Sequence, residues 1–280
     1  MTQQTIRQDV KSPIMGNQTL LRAEDHDRYL VTLLTPKAYR HGLTALYAFN
    51  VEIAKTRFVV SEAALGEIRL AWWRESVTDL FAGKVRQHDV LEVLAEHTLD
   101  EAPLLALIEA RSADLYDEPM EDMEALISYA VNTSGQLEGI AAALLGSGIE
   151  GQVSARKVGT AWALAGMMRA LPHNLLQPAE QKWDYLPADR MAEMAVTWDS
   201  LKEPLNRDAL CEIVASVCDI AEHLLDDATE NQPTNAALLA VMCRSYLKAL
   251  RRANYDPFIV NFERGTLGRF LGLAWVGLRR

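Results

Sequence analysis

An all-α bundle in one large domain is the fold this sequence predicts, on three observations. Apolar residues recur at three- and four-residue intervals over most of its 280 positions. The alternating, β-branched runs expected of strands are almost absent. Its 15 glycines and 10 prolines are scattered, with no Gly/Ser-rich linker at which to divide the chain. At 49% apolar and 24% charged residues the chain has the material for a large core. That composition excludes disorder, a collagen-like repeat and a disulfide-stapled miniprotein.

The elements follow in order. Residues 1–25 read as a poorly ordered N-terminal extension, and 26–280 as the domain. Thr35 before Pro36 signals an N-capped helix with proline in its first turn, running to about residue 59. Leu43, Leu46, Tyr47, Val51 and Ala54 share its inward side. A second helix follows Gly66, with Ile68, Leu70, Trp72, Trp73, Val77, Leu80 and Phe81 spread widely enough to require burial on more than one side, and it stops near Gly83. Helices over 104–116 and 119–145 come next, the latter closed by Gly146-Ser147-Gly148. The next, from 153 to 171, is expected to stop or kink at Pro172, which has no amide hydrogen to continue the ladder. Further helices fit 205–229, 234–254 and 266–278.

A net charge of −10 repels phosphate backbones and argues against nucleic acid as a partner. Three cysteines without a CxxC spacing argue against a disulfide framework and a structural zinc site, and they read as core thiols of a reducing compartment. None of the six histidines sits in HExxH, and GxSxG, Walker-type and strand-following GxGxxG loops are missing. Asp25-His26-Asp27 suits helix capping better than metal binding, and Asp114 with Asp117 and Asp226 with Asp227 are weak candidates. Nothing resembles a signal peptide or a membrane span, so a cytoplasmic location is expected. The end of the chain is polarised: Arg264, Arg269, Arg279 and Arg280 bring +4 against −14 before them. With Leu267, Phe270, Leu271 and Trp275, residues 264–280 form either a last core helix or a basic amphipathic helix on the inner face of an anionic membrane.

Several segments together resemble the squalene/phytoene synthase family. They are Arg40-(x)3-Thr44-Ala-Leu-Tyr-Ala-Phe49, Trp72-Trp-Arg74, Leu107-Ile-(x)5-Asp114-Leu115, Tyr129-(x)5-Gly135, the run from Gly159 to Arg169, and Tyr185-Leu-Pro187. The resemblance implies an isoprenoid-synthase-type bundle around a central cavity. It also implies two aspartate-rich stretches, facing each other, that hold the Mg²⁺ ions which bind and ionise a prenyl diphosphate. Magnesium takes hard oxygen ligands, so the chemistry needs those acids. The corresponding positions here are Ala54, Lys55 and Phe58 in the first stretch, and Ala170 and Asn174 in the second. With 54 and 58 on one helical face, formerly acidic cavity wall becomes alanine and phenylalanine.

The resemblance is strongest to a branch of the family that includes respiratory complex I assembly proteins. It therefore implies an accessory or assembly role, with respiratory-complex subunits as partners, no catalytic or metal-binding residue and no cofactor, and an isoprenoid or other lipid as a candidate ligand. Two alternatives stay open: a Mg²⁺-dependent prenyltransferase completed by acids from elsewhere, and a metal-free binder of anionic lipids. Family positions that survive as candidate anion or ligand contacts are Arg40, Arg74, Tyr129, Arg169 and Tyr185; structural ion pairs are their simpler explanation.

Overall fold

The computed structural model describes residues 12–116, 118–177, 184–228, 232–260 and 262. Among these residues there is no strand. The helices are α1 (Pro13–Glu24), α2 (His26–Leu34), α3 (Arg40–Ala54), α4 (Thr56–Val59), α5 (Ala63–Phe81), α6 (Asp89–Leu94), α7 (Glu101–Ala110), α8 (Met123–Ala130), α9 (Gln136–Leu144), α10 (Ile149–Leu175), α11 (Ala188–Glu193), α12 (Arg207–Asp226) and α13 (Thr234–Arg252). The predicted helix over 266–278 lies outside the described residues.

Helix α10 is the axis of the bundle. Its neighbours are α8, α9, α12 and α13, and its middle, from Val158 to Met168, is buried nearly all round. Helix α3 is the second central element: twelve consecutive residues, Gly42 to Ile53, are buried against α1, α2, α6 and α9. Between α8 and α9 a π-helical turn, Val131–Gly135, carries the chain past α10. There a Cβ on Gly135 would stand 2.6 Å from Thr160 Oγ1, and one on Gly159 would collide with the Ser134 carbonyl. Two glycines thus let the two backbones meet.

Four expectations are corrected. The extension drawn over 1–25 contains α1, which packs on α3 and α6; it buries Asn17, whose amide donates to the Asp89 carbonyl at 3.0 Å, and Leu21. The single helix over 36–59 is a 3₁₀ turn at Lys37–Tyr39 followed by α3 and α4. The break falls at Lys55, where the Phe58 amide bonds back to the Lys55 carbonyl in the tighter i→i+3 pattern, so positions 54 and 58 no longer share one continuous face. Helix α10 runs through Pro172 to Leu175. A proline removes only one ladder bond, and the buried Tyr185 hydroxyl ties this turn by donating to the Met167 carbonyl at 2.6 Å and accepting from Asn174 Nδ2 at 2.8 Å. Finally, α5 buries Leu70, Trp73 and Val77 but leaves Ile68, Trp72 and Phe81 exposed, with Arg86 stacked over the Trp72 ring.

Helix α6 begins on an unusual cap. His88 Nδ1 accepts from the Val90 amide at 3.2 Å, so the neutral ring carries its proton on Nε2. The ring lies against Trp73 and Trp72. Burial lowers its pKa, outweighing Glu52 and Asp89, which pull the other way, and Lys55 and Arg69 add to the lowering. A histidine whose folded pKa lies below its unfolded one adds stability that is present above the unfolded value and is lost as pH falls through the folded one. Denaturant midpoints measured from pH 8 down to pH 5 should therefore fall more for the wild-type protein than for His88→Asn, which keeps an N-cap acceptor that does not titrate. Parallel curves would contradict this assignment.

Candidate functional site

An open cleft of about 640 Å³ lies between α4, the amino end of α5 and the carboxyl end of α10. Its lining includes Arg57, Phe58 and Val60, Leu115, and His173, Asn174 and Gln177. Phe58 is 67% exposed. The Arg57 guanidinium is oriented by an Nη1 bond to the Asp114 carbonyl. His173 and Gln177, one turn apart on α10, bond to each other at 2.8 Å.

This cleft brings together Phe58 and Asn174, one position from each stretch where the resemblance expects aspartate. Ala54, Lys55 and Ala170 do not line it. Ala54 is half-buried and Ala170 exposed, and Lys55 is bonded to Glu52. The acids nearby have other work. Glu52 takes Lys55 and also Arg69, at 2.7 Å. Asp114, buried, accepts from Tyr129 at 2.7 Å and from Arg111 at 3.3 Å. Burial raises its pKa even against that guanidinium and the Tyr129 bond. Among the described residues no group of three or more His, Cys, Asp or Glu is disposed to hold a metal ion. The residues at these positions therefore do not fit the Mg²⁺ ions the resemblance implies.

The five candidate ligand contacts are dispersed, and none lines the cleft. Arg40 donates to the Thr35 carbonyl at 2.7 Å. Arg74 pairs with Glu109 at 3.1 Å and Glu67 at 3.4 Å. Tyr129 belongs to the Asp114–Arg111 cluster, which Asn50 completes by accepting from Arg111 at 3.1 Å. Burial, then Asp114, pushes its phenol well above the usual range. Arg169 bonds Asp27 at 2.9 Å and lies 4.3 Å over the Tyr246 ring. Tyr185 stitches the Pro172 turn. Of the Asp25-His26-Asp27 triplet, Asp25 caps α2 through the Arg28 amide and Asp27 receives Arg169 and Tyr246. Cys218 and Cys243 are buried thiols, burial pushing Cys218 up to about 12.

A buried polar network that no linear motif announces is centred on Glu138. Glu138, fully buried on α9, accepts from Arg28 Nε at 3.0 Å, Tyr47 at 2.8 Å and Asn235 at 2.8 Å. Arg28 also reaches Ser134 at 2.6 Å and Asp25 at 3.0 Å. Burial opposes its charge, yet Asp25 and Glu138 outweigh it and hold the guanidinium pKa above its ordinary value. Partners 110 and 97 residues apart give no signal in a linear pattern.

Among the described residues no helix is long and apolar enough to cross a membrane. The segment 264–280 lies outside them. Comparison with known proteins identifies the lineage. Complex I assembly factor 6 of Mus musculus is 27% identical over 259 residues, covering 89% of this chain and 77% of that protein. The Homo sapiens protein of the same name is 25% identical over 250 residues, covering 85% and 74%. Among solved structures, a dehydrosqualene synthase in complex with ligand superposes with a TM-score of 0.78 at 19% identity, over 95% of this chain and 96% of that one. Squalene synthase HpnC from Alicyclobacillus acidocaldarius gives 0.75 at 20% identity, over 88% and 95%. These two show the fold, the helical isoprenoid-synthase type. The squalene/phytoene synthase family description matches residues 21–270, and the chain belongs to that family.

Proposed function

We propose that this chain is a non-catalytic member of the squalene/phytoene synthase family that serves the assembly of respiratory complex I, on the cytoplasmic side at the inner face of the membrane that holds the complex. The observation that carries the reading is the similarity, over most of both chains, to relatives named complex I assembly factors. The residues at 54, 55, 58, 170 and 174 support its negative half. Alanine and phenylalanine offer no metal ligand, a lysine repels a cation, and an asparagine carries no charge to neutralise one. Subunits or assembly proteins of the complex are the partners in this reading, and a lipid is a candidate ligand.

The test is genetic and direct. In the source organism, deletion of the gene is expected to lower fully assembled complex I on native gels, with recovery when the wild-type chain is restored. Normal complex I in the deletion strain would remove the assembly role.

A further inference from the structure

One face of α5 is left largely in water although its residues are apolar. Leu65, Ile68 and Trp72 share it at intervals of three and four, Ile68 being 66% and Leu65 48% exposed. Ala64 is exposed beside them and Ala71 is half-buried. We propose that this face is a self-association surface, on which two copies of the chain pair their α5 helices antiparallel about a two-fold axis near Ile68. The inference rests on this face alone and stands apart from the assembly reading.

The face is complementary to itself in that order. A two-fold axis makes an interface isologous, so every contact occurs twice. With the axis at Ile68 the two isoleucines meet. Leu65 then lies opposite the partner's Trp72 on one side of the seam, and Ala64 opposite the partner's Ala71 on the other. Large apolar groups fill the first side, while methyl groups on the second let the helices approach to about 8 Å between axes. Trp72 is held in place before a partner arrives, with Arg86 5.7 Å over its ring and Trp73 and His88 against it, so little freedom is lost on association.

Charge favours the antiparallel order. Glu75 and Asp79 continue the face toward the carboxyl end of α5, bonded to Arg86 at 3.2 Å and 2.8 Å. Parallel helices would set these acids of the two copies side by side. Antiparallel helices set the two Glu75 side chains about 20 Å apart, beyond the ~8 Å screening length of physiological salt. Each Glu75 then reaches the first turn of the partner's α5, the positive end of its dipole. Glu62, the N-cap residue there, makes no side-chain cap bond and is the acid that opposes this contact. Glu62→Gln should therefore tighten the dimer.

The experiment is sedimentation equilibrium of the full chain from about 1 to about 200 μM. A monomer–dimer equilibrium with a Kd on the order of 10 μM is expected, because one helix pair buries less than a standard interface. Ile68→Glu and, as a second variant, Ala64→Arg should each weaken it at least about tenfold with thermal unfolding unchanged, since both side chains face water in the single chain. Disulfide trapping reads the order of the helices. Ile68→Cys should cross-link to its own copy, whereas Ala64→Cys and Ala71→Cys should cross-link when mixed and poorly when alone, each against the wild-type chain, whose three cysteines set the background. A chain that stays monomeric throughout that range would leave the face to a different protein or to residues 264–280 of the chain itself, and would overturn the proposal. So would dimers of both Ile68→Glu and Ala64→Arg as stable as the wild type, a weaker dimer in Glu62→Gln, or Ala64→Cys cross-linking alone as readily as in the mixture, the mark of parallel helices.

Discussion

Arg28→Ala is expected to destabilise the protein by about 3–5 kcal/mol, the cost of leaving a buried charge without its partner. The charge is Glu138, which no water reaches, and Arg28 is the cation that bonds it. After the substitution Glu138 keeps two neutral donors, Tyr47 and Asn235, and Ser134 loses the bond it accepts from Arg28 Nη2. The loss reaches several helices at once, because Arg28 lies on α2, Glu138 on α9 and Asn235 on α13. Burying two charges costs solvation that their attraction only partly returns, so Arg28→Met combined with Glu138→Leu should be less damaging than Arg28→Ala alone. Urea unfolding of the three proteins decides it. A loss below about 1 kcal/mol for Arg28→Ala, the size of an exposed ion pair, would contradict the buried network.

Gly159→Ala is expected to cost about 1–3 kcal/mol, the usual penalty of overpacking. The sign is informative, because alanine in a helix interior otherwise gains up to about 1 kcal/mol over glycine. At Gly159 the added Cβ would collide with the Ser134 carbonyl and stand 2.8 Å from Glu138 Cγ. Backbone does not swing aside as a flexible side chain does, so α10 must move off the π turn. Gly166, two turns on in the same helix, meets nothing within 4 Å. Gly166→Ala should accordingly stabilise by about 0.5–1 kcal/mol. Equal effects at the two positions in chemical denaturation would refute the close approach. Since Gly159 contacts Glu138, Gly159→Ala and Arg28→Ala should also be non-additive when combined.

Much of the bundle was legible, for a physical reason. Helices such as α12 and α13 repeat apolar residues at helical spacing because one face must leave water. Helix α1 shows that signal weakly, since Ile14, Leu20 and Leu21 on its inward side are joined by the polar Asn17 and by Gly16 lying close to Asp89. The continuation of α10 past Pro172 depends on a tyrosine hydroxyl from a later segment, which local rules about proline do not contain. The exposure of Ile68 depends on whether a neighbour lies outside α5, and none of the described helices does so closely enough to bury it.

The site divides in the same way. That residues 58 and 174 meet at one cleft was readable from the family resemblance, and that neither is a carboxylate was readable from the letters alone. Arg57 and His173 stand in the sequence as an isolated charge and an isolated ring. Their convergence with Gln177 required the fold, because α4 and the end of α10 are far apart in sequence. Asp114, weak as a letter in a row, proves buried and bonded to Arg111 and Tyr129. A spacing of three from Arg111 was the available hint.

A bundle without a carboxylate cage for magnesium should not ionise a prenyl diphosphate. Incubation of the purified chain with farnesyl and geranylgeranyl diphosphates in Mg²⁺, with organic products followed by mass spectrometry, tests that most directly. No condensation product is expected above the protein-free background, with or without chelator. A head-to-head condensation product that forms in Mg²⁺ and vanishes with EDTA would contradict it.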